Sequence, residues 1–264
     1  MADADADPAS RVTRPLTMEG VEPFFYPRGE TGCLLVHGLS SSPFTMREMG
    51  ARLAASGVSV AAPLLAGHGT SPEDLRNKTW GDWVTSAEVG LEQLRAHGCR
   101  RIYLTGLSLG GAICLYLAAR DPQAYAGMIT MSAPVWIPTV LRVPLNAAGR
   151  RLPYLATFTS DIADPAAHRL WLTYDRLPLA TCVTLIDLLA QVREGLDRIT
   201  LPSLIIYARH DHLVHPMNSM HIYSRISSSD KRLAVLHHGY HIVTVDRDKE
   251  RVFALADEFI GRTR

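Results

Sequence analysis

Apolar runs of strand length alternate along the chain with longer stretches in which apolar residues recur every three or four positions. A mostly parallel sheet with helices on both faces requires that alternation. The clearest strands are predicted at 33–36, 58–61, 101–105, 127–131, 203–208 and 232–236. Trp80, Trp83, Val84, Ala87, Leu91 and Leu94 share one face of a helix, as do Met46, Met49 and Leu53 earlier and Val252, Leu255, Ala256, Phe259 and Ile260 near the end. Asp246 or Asp248 is available as the N-cap of that last helix. After Ser108, the residues Ala112, Ile113, Leu115, Tyr116, Leu117 and Ala118 leave no polar face, which predicts a central helix buried under its neighbours.

From Val135 to about Pro178 the alternation fails: Pro138, Pro144, Pro153 and Pro165 stand among scattered large apolar residues. A structureless loop of that length is improbable inside a compact domain, so the stretch is expected to form a cap of short helices. The organisation expected is a flexible tail at 1–20, a core made of 21–134 and 179–264, and a cap or lid inserted at 135–178. No internal repeat is visible.

Composition narrows the class. With 264 residues, 47% hydrophobic and 20% charged, the chain can bury one substantial core and lies far from disordered compositions. A net charge of +1 with no long run of either sign leaves little for nucleic-acid binding to act on, so no nucleic-acid partner is expected. The uncharged stretch 102–119 is interrupted by Thr105, Gly106, Ser108, Gly110 and Gly111, and no stable membrane insertion is expected. Residues 1–10 alternate Ala and Asp, the opposite of a basic, then apolar, secretory signal. Cys33, Cys99, Cys114 and Cys182 are widely separated and form no C-x-x-C, which points to a reduced, cytoplasmic protein; a monomer or homodimer is expected.

The candidate chemistry centres on Gly106-Leu107-Ser108-Leu109-Gly110, a G-x-S-x-G sequence between a predicted strand and a predicted helix. Turning so tightly from strand to helix needs small residues two positions either side of the serine. The turn would lift the Ser108 hydroxyl clear of the sheet, at a helix N-terminus whose amides and dipole favour developing negative charge. A serine hydroxyl is a weak nucleophile until a base removes its proton, so a histidine and an acid must follow in the order Ser, Asp, His. Asp211 follows the strand 203–208 and His241 follows the last strand, with Gly239 allowing the bend between. His210, His212, His215, His237 and His238 crowd the same two loops, and chain order favours His241. Asp246 and Asp248 compete for the acid role but come after the histidine.

Stabilising an oxyanion calls for two backbone N–H donors. Leu109, directly after the nucleophile, is one candidate; Leu39, after the strand 33–36, is the other, with Gly38 permitting close approach. His37-Gly38 also reads as an ordinary strand-ending turn.

Two histidine-rich groups invite a metal: His210, Asp211, His212 and His215, then His237, His238 and His241. They lack a zinc spacing such as H-E-x-x-H, and a metal on Asp211 or His241 would occupy groups the serine needs, so no metal or cofactor is expected. His68, between two glycines and ahead of the nucleophile, reads as structural. The lid arginines Arg142, Arg150, Arg151, Arg169 and Arg176 are diluted by Asp161, Asp164 and Asp175, which reads as a solvated surface.

Together these residues resemble the α/β-hydrolase superfamily, and within it the small bacterial carboxylesterases and monoacylglycerol lipases. The resemblance spans most of the chain: 66–73 is similar to that group's G-H-G loop, 106–111 to its serine signature, and 208–211 and 237–246 to its acid and histidine segments. It implies an α/β-hydrolase fold, Ser108 as nucleophile, Asp211 as acid, His241 as base, Leu39 and Leu109 as oxyanion donors, and a cap after the sixth strand. The cap sequence departs from the family pattern, so substrate choice does not carry over.

The expected reaction is hydrolysis of a small carboxylic ester, of short to medium acyl chain or a monoacylglycerol, through an acyl-enzyme. Trp136, Ile137, Val140, Leu141, Tyr154, Phe158 and Leu172 give the cap apolar surface for an acyl pocket, with Gly38 beside it. The same side chains would equally pack a cap onto its own domain. Thioester or peptide hydrolysis could use the same triad, a noncatalytic ligand-binding protein could use the same fold, and a haloalkane dehalogenase would carry Asp in place of Ser108.

Overall fold

In the central strands, successive side chains go to opposite faces of the sheet and meet two separate apolar layers. Leu34 and Val36 join one buried cluster, Cys33 and Leu35 the other. Ile102 and Leu104 likewise oppose Tyr103 and Leu107. The computed structural model describes residues 20–137, 154–156, 161–169 and 173–262. The tail expected at 1–20 lies outside them but for residue 20.

The strands are β1 (Phe24–Tyr26), β2 (Thr31–Val36), β3 (Ser59–Ala62), β4 (Arg101–Leu107), β5 (Gly127–Met131), β6 (Tyr154–Ala156), β7 (Arg176–Pro178), β8 (Ser203–Ala208) and β9 (Lys231–Leu236). The helices are α1 (Arg47–Ala55), α2 (Pro72–Arg76), α3 (Trp80–Ala96), α4 (Leu109–Arg120), α5 (Pro165–Arg169), α6 (Leu179–Gly195), α7 (Met217–Arg225) and α8 (Lys249–Arg262). Among the described residues, seven strands form one sheet in the order β1-β3-β2-β4-β5-β8-β9. All its pairings are parallel except that of β1, an antiparallel edge strand. This is the α/β-hydrolase fold, with α1 and α8 contributing to one apolar layer and α3, α4 and α6 to the other.

All six predicted strands are present. β1 is an addition: its three residues are too short to show a period, and its pairing with β3 depends on a partner more than thirty positions away. The predicted central helix is α4, in which ten of twelve residues are buried.

From β2 the chain crosses to β3 on one side, and from β4 to β5 on the other. The gap between the carboxyl ends of β2 and β4 is therefore a topological switch point, where open α/β sheets bind ligands. Register sharpens the placement. Val36 pairs with Gly106, so the residues after β2 emerge beside those after β4. Ala208 pairs with Leu236, so the two loops that follow β8 and β9 leave the same edge together.

The segment expected to be a cap of short helices lies only partly within the described residues. Its described part holds an antiparallel pair, β6 with β7, and one five-residue helix, α5. Extended pairing satisfies the backbone of a proline-rich segment that has no helical period to exploit. The segment is fastened to the core at several points. Asn218 Oδ1 accepts the amides of Val135 and Trp136 at 2.9 and 3.0 Å, Thr173 donates to Ser40 O at 2.8 Å, and Tyr174 donates to Gly67 O at 2.8 Å.

Candidate active site

Ser108 stands between β4 and α4 with φ 54° and ψ −118°, a left-handed conformation that a residue with a Cβ rarely adopts. Two glycines permit the turn by their lack of a side chain. A Cβ on Gly106 would lie 2.2 Å from the Gly110 backbone, and one on Gly110 would lie 2.0 Å from Val36 O. The bend thus presses the start of α4 against the end of β2. Ser108 N donates to Met131 O at 2.8 Å, which anchors the turn to β5. Leu109 opens α4, and Ser108 gives that helix no side-chain cap, so its first amides have no partner from the helix itself.

Gly38 lies against this turn: a Cβ there would come 3.4 Å from Ser108 Cβ and 4.0 Å from its Oγ. Leu39 is half-buried beside it and packs on the core. A residue that sequence reasoning left without a role holds this loop. Leu65 N donates to His37 Nε2 at 3.1 Å, so that nitrogen carries no proton, and His37 Nδ1–H then donates to Gly38 O at 2.9 Å. Burial, with help from the neighbouring His68, pushes the His37 pKa well below its ordinary value and keeps the ring neutral.

His68 is also buried, its ring 5.0 Å from that of His37, and burial lowers its pKa to about 4. Its Nδ1 lies 3.2 Å from Ala66 O, while Nε2 is buried with no hydrogen-bond partner among the described residues. It packs inside the core and reads as structural.

On the other side of the switch point, Asp211 Oδ2 lies 2.8 Å from His241 Nδ1, and both side chains are almost wholly buried. An ionised carboxylate only accepts, so Nδ1 carries a proton, and in the neutral ring Nε2 is the nitrogen left to accept one. Asp211 Oδ1 accepts the amides of Leu213 and Val214 at 2.9 and 2.7 Å. Burial alone would raise the Asp211 pKa; the electrostatic attraction and hydrogen bond of His241 and those two amides outweigh it and hold the carboxyl below its usual range. Of the histidines in these two loops, His241 is buried, whereas His210, His212, His215, His237 and His238 are exposed. Among the described residues, no three His, Cys, Asp or Glu side chains gather as a metal-ligand set.

Asp246 and Asp248, expected to cap α8, turn their carboxylates elsewhere. Asp248 Oδ2 accepts the amides of His238 and Gly239 at 2.7 and 3.0 Å; Asp246 Oδ2 accepts that of Tyr240 at 2.7 Å. Both brace the loop that carries His241. Gly239 has no positive φ; its missing side chain instead lets Asp246 approach, since a Cβ there would meet Asp246 Oδ2 at 3.1 Å. Asp161 is likewise not the solvated residue expected of it: it is buried and accepts hydrogen bonds from His212 and His241.

Of the residues expected in an acyl pocket, Trp136 and Ile137 are half-buried against the core, and Trp136 meets the His221 ring edge-on at 5.0 Å. Tyr154 donates its hydroxyl to Glu73 at 3.1 Å, and the Arg176 guanidinium lies 4.8 Å above its ring. Arg176 in turn pairs with Glu73 at 2.7 Å. Val140, Leu141, Phe158 and Leu172 lie outside the described residues, as do Arg142, Arg150 and Arg151.

The model of the family described as serine aminopeptidase, S33, matches residues 30–248. A thermostable monoacylglycerol lipase of Bacillus sp. (strain H-257) is 37% identical over 245 residues, which make up 93% of this chain and 96% of that protein. A carboxylesterase of Bacillus subtilis (strain 168) is 29% identical over 244 residues, 91% of this chain and 96% of the relative. A solved structure of the metagenome-derived lipolytic enzymes LipS and LipT superposes with a TM-score of 0.89 at 32% identity, covering 93% of this chain and 99% of its own. With a switch-point serine, a buried His–Asp pair and a match over most of its length, the chain belongs to the serine aminopeptidase S33 family of α/β hydrolases.

Proposed function

We propose that this protein is a serine hydrolase that cleaves carboxylic esters through an acyl-enzyme, with Ser108 as nucleophile, His241 as base and Asp211 as its orienting acid. The observation that carries the reading is the 2.8 Å bond from His241 Nδ1 to Asp211, which fixes one ring proton on Nδ1 and makes Nε2 the basic nitrogen of the neutral ring, in a loop at the same sheet edge as Ser108. His241 Nε2 takes the Ser108 proton as Oγ attacks the ester carbon, and returns it to the leaving alcohol. The amides of Leu109 and Leu39 receive the oxyanion; one such donor is worth roughly 3 to 4 kcal/mol in the transition state. Water, deprotonated by the same imidazole, then releases the acid. Each step draws on groups of the chain itself.

Segment 135–178 acts as the cap over this edge, which its ties to Ser40 and Gly67 support. The names of the two Bacillus relatives favour carboxylic esters, monoacylglycerols among them. The family description names an aminopeptidase, and peptide cleavage is the reading to test against. The four cysteines are buried and unpaired, and burial raises Cys33 to about 12 and Cys182 to about 11, which supports a reducing, cytoplasmic setting.

A fluorophosphonate probe followed by peptide mapping tests the assignment. Label on Ser108, lost in Ser108→Ala together with turnover of p-nitrophenyl esters, is the expected result. Label on no serine overturns it in favour of a noncatalytic binder.

A further inference from the structure

We propose that Asp161, carried by the inserted segment and not by the hydrolase core, is a positioning residue for His241. The proposal rests on the serine-hydrolase reading above. Asp161 is buried, and its two oxygens reach both catalytic loops. Oδ2 accepts the backbone amide of His212 at 2.9 Å and that of His241 itself at 3.3 Å, while Oδ1 lies 2.7 Å from the His212 ring Nδ1. The neighbouring backbone strengthens the tie, because Ile242 N donates to Asp161 O at 3.3 Å.

One carboxylate therefore spans the loop after β8, next to the acid, and the loop after β9, at the base. Asp246 fastens the same segment from below: it accepts Ala163 N and Asp164 N at 2.9 Å each while holding Tyr240 N. His212, whose ring is largely exposed, meets the Tyr240 ring edge-on at 4.7 Å and so fixes the second oxygen of Asp161. The imidazole of His241 is oriented at both ends, its Nδ1 by Asp211 and its main chain by Asp161. A displacement of about 1 Å at such a group is enough to cost on the order of 10²-fold in rate. Asp161 touches no reacting atom, so its effect belongs to kcat and not to ester binding.

The test compares Asp161→Ala, Asp161→Glu and Asp161→Asn with the parent on one p-nitrophenyl ester. Ala removes the acceptors and Glu displaces them by a methylene; each is expected to lower kcat by about 10- to 100-fold with KM within about twofold. Asn keeps an acceptor for both amides and is expected to recover most of that loss. The far-downfield proton resonance of His241 Nδ1–H is expected to shift or broaden in the Ala and Glu variants. Glu keeps the proposal testable should the Ala variant fail to fold. Parental kcat in the Ala or Glu variant, a loss carried by KM, or an Asn variant as impaired as Ala overturns the proposal. Fluorophosphonate labelling separates the two readings: a parent unlabelled at Ser108 refutes the serine hydrolase, whereas a labelled parent matched in labelling rate by Asp161→Ala refutes only the role of Asp161.

Discussion

Asp211 grips His241 with one carboxylate oxygen, 2.8 Å from Nδ1, and spends the other on the amides of Leu213 and Val214. That division of labour sets what an amide in its place would do. In Asp211→Asn the two backbone donors select the carbonyl oxygen for Oδ1, which turns the NH₂ group toward His241. The imidazole must then accept at Nδ1 and carry its proton on Nε2, where it cannot take the proton of Ser108.

Asp211→Asn is therefore expected to fold normally and to lower kcat by a factor on the order of 10⁴, the size of effect a wrong tautomer produces in a serine triad. Steady-state kinetics with circular dichroism checks this. A near-parental rate would move the acid role elsewhere.

Gly110 and Gly38, both beside the nucleophile turn, should separate by phenotype. Gly110→Ala places a methyl 2.0 Å from Val36 O, a backbone atom with no rotamer to change, and is expected to lower Tm by at least about 5 °C or to abolish expression. Gly38→Ala meets its nearest atom at 3.4 Å and should keep its Tm within about 2 °C, yet lose kcat by roughly tenfold or more, because the methyl crowds the space beside Ser108 Oγ. Thermal melts and ester kinetics on the pair decide the matter.

Acid should weaken the fold in two stages. His68 titrates near 4 when folded and near 6.5 when unfolded, so the unfolded chain binds its extra proton between those values, and His37, also lowered, acts in the same direction. The His68 contribution is fully present above about pH 6.5 and is lost as pH falls toward 4, on the order of 3 kcal/mol. Asp211 acts lower: its folded pKa lies below the ordinary 3.8, so its contribution holds above about pH 4 and disappears only below. Urea unfolding from pH 7 to 4 should show the first loss, and His68→Gln should flatten it. A flat parental profile would contradict the buried, neutral assignment.

A substrate panel separates ester from peptide chemistry. Simple alkyl esters of graded chain length, monoacylglycerols and amino-acid anilides, assayed side by side, are expected to give turnover on the esters and at least about 10²-fold less on the anilides. Preferential anilide cleavage would restore the aminopeptidase reading that the family description carries.

Much of the molecule was legible along the chain. Strand and helix periods follow from local backbone geometry, so the six core strands, the buried helix α4 and the strained turn at Ser108 could be read within windows of ten or so residues. Chain order proposed Asp211 and His241 together, and the structure pairs them at 2.8 Å, because the loops after β8 and β9 leave the sheet side by side. The tertiary structure alone decided what holds those groups. Asp161 meets the His241 amide from 80 positions away, and the His37 ring meets Leu65 N from 28. Asp246 abandons the helix cap that its local sequence favours for the amides of Ala163 and Asp164, more than 80 positions away. Such partners leave no periodic trace, since they are chosen by which buried backbone N–H groups still need an acceptor once the loops have closed.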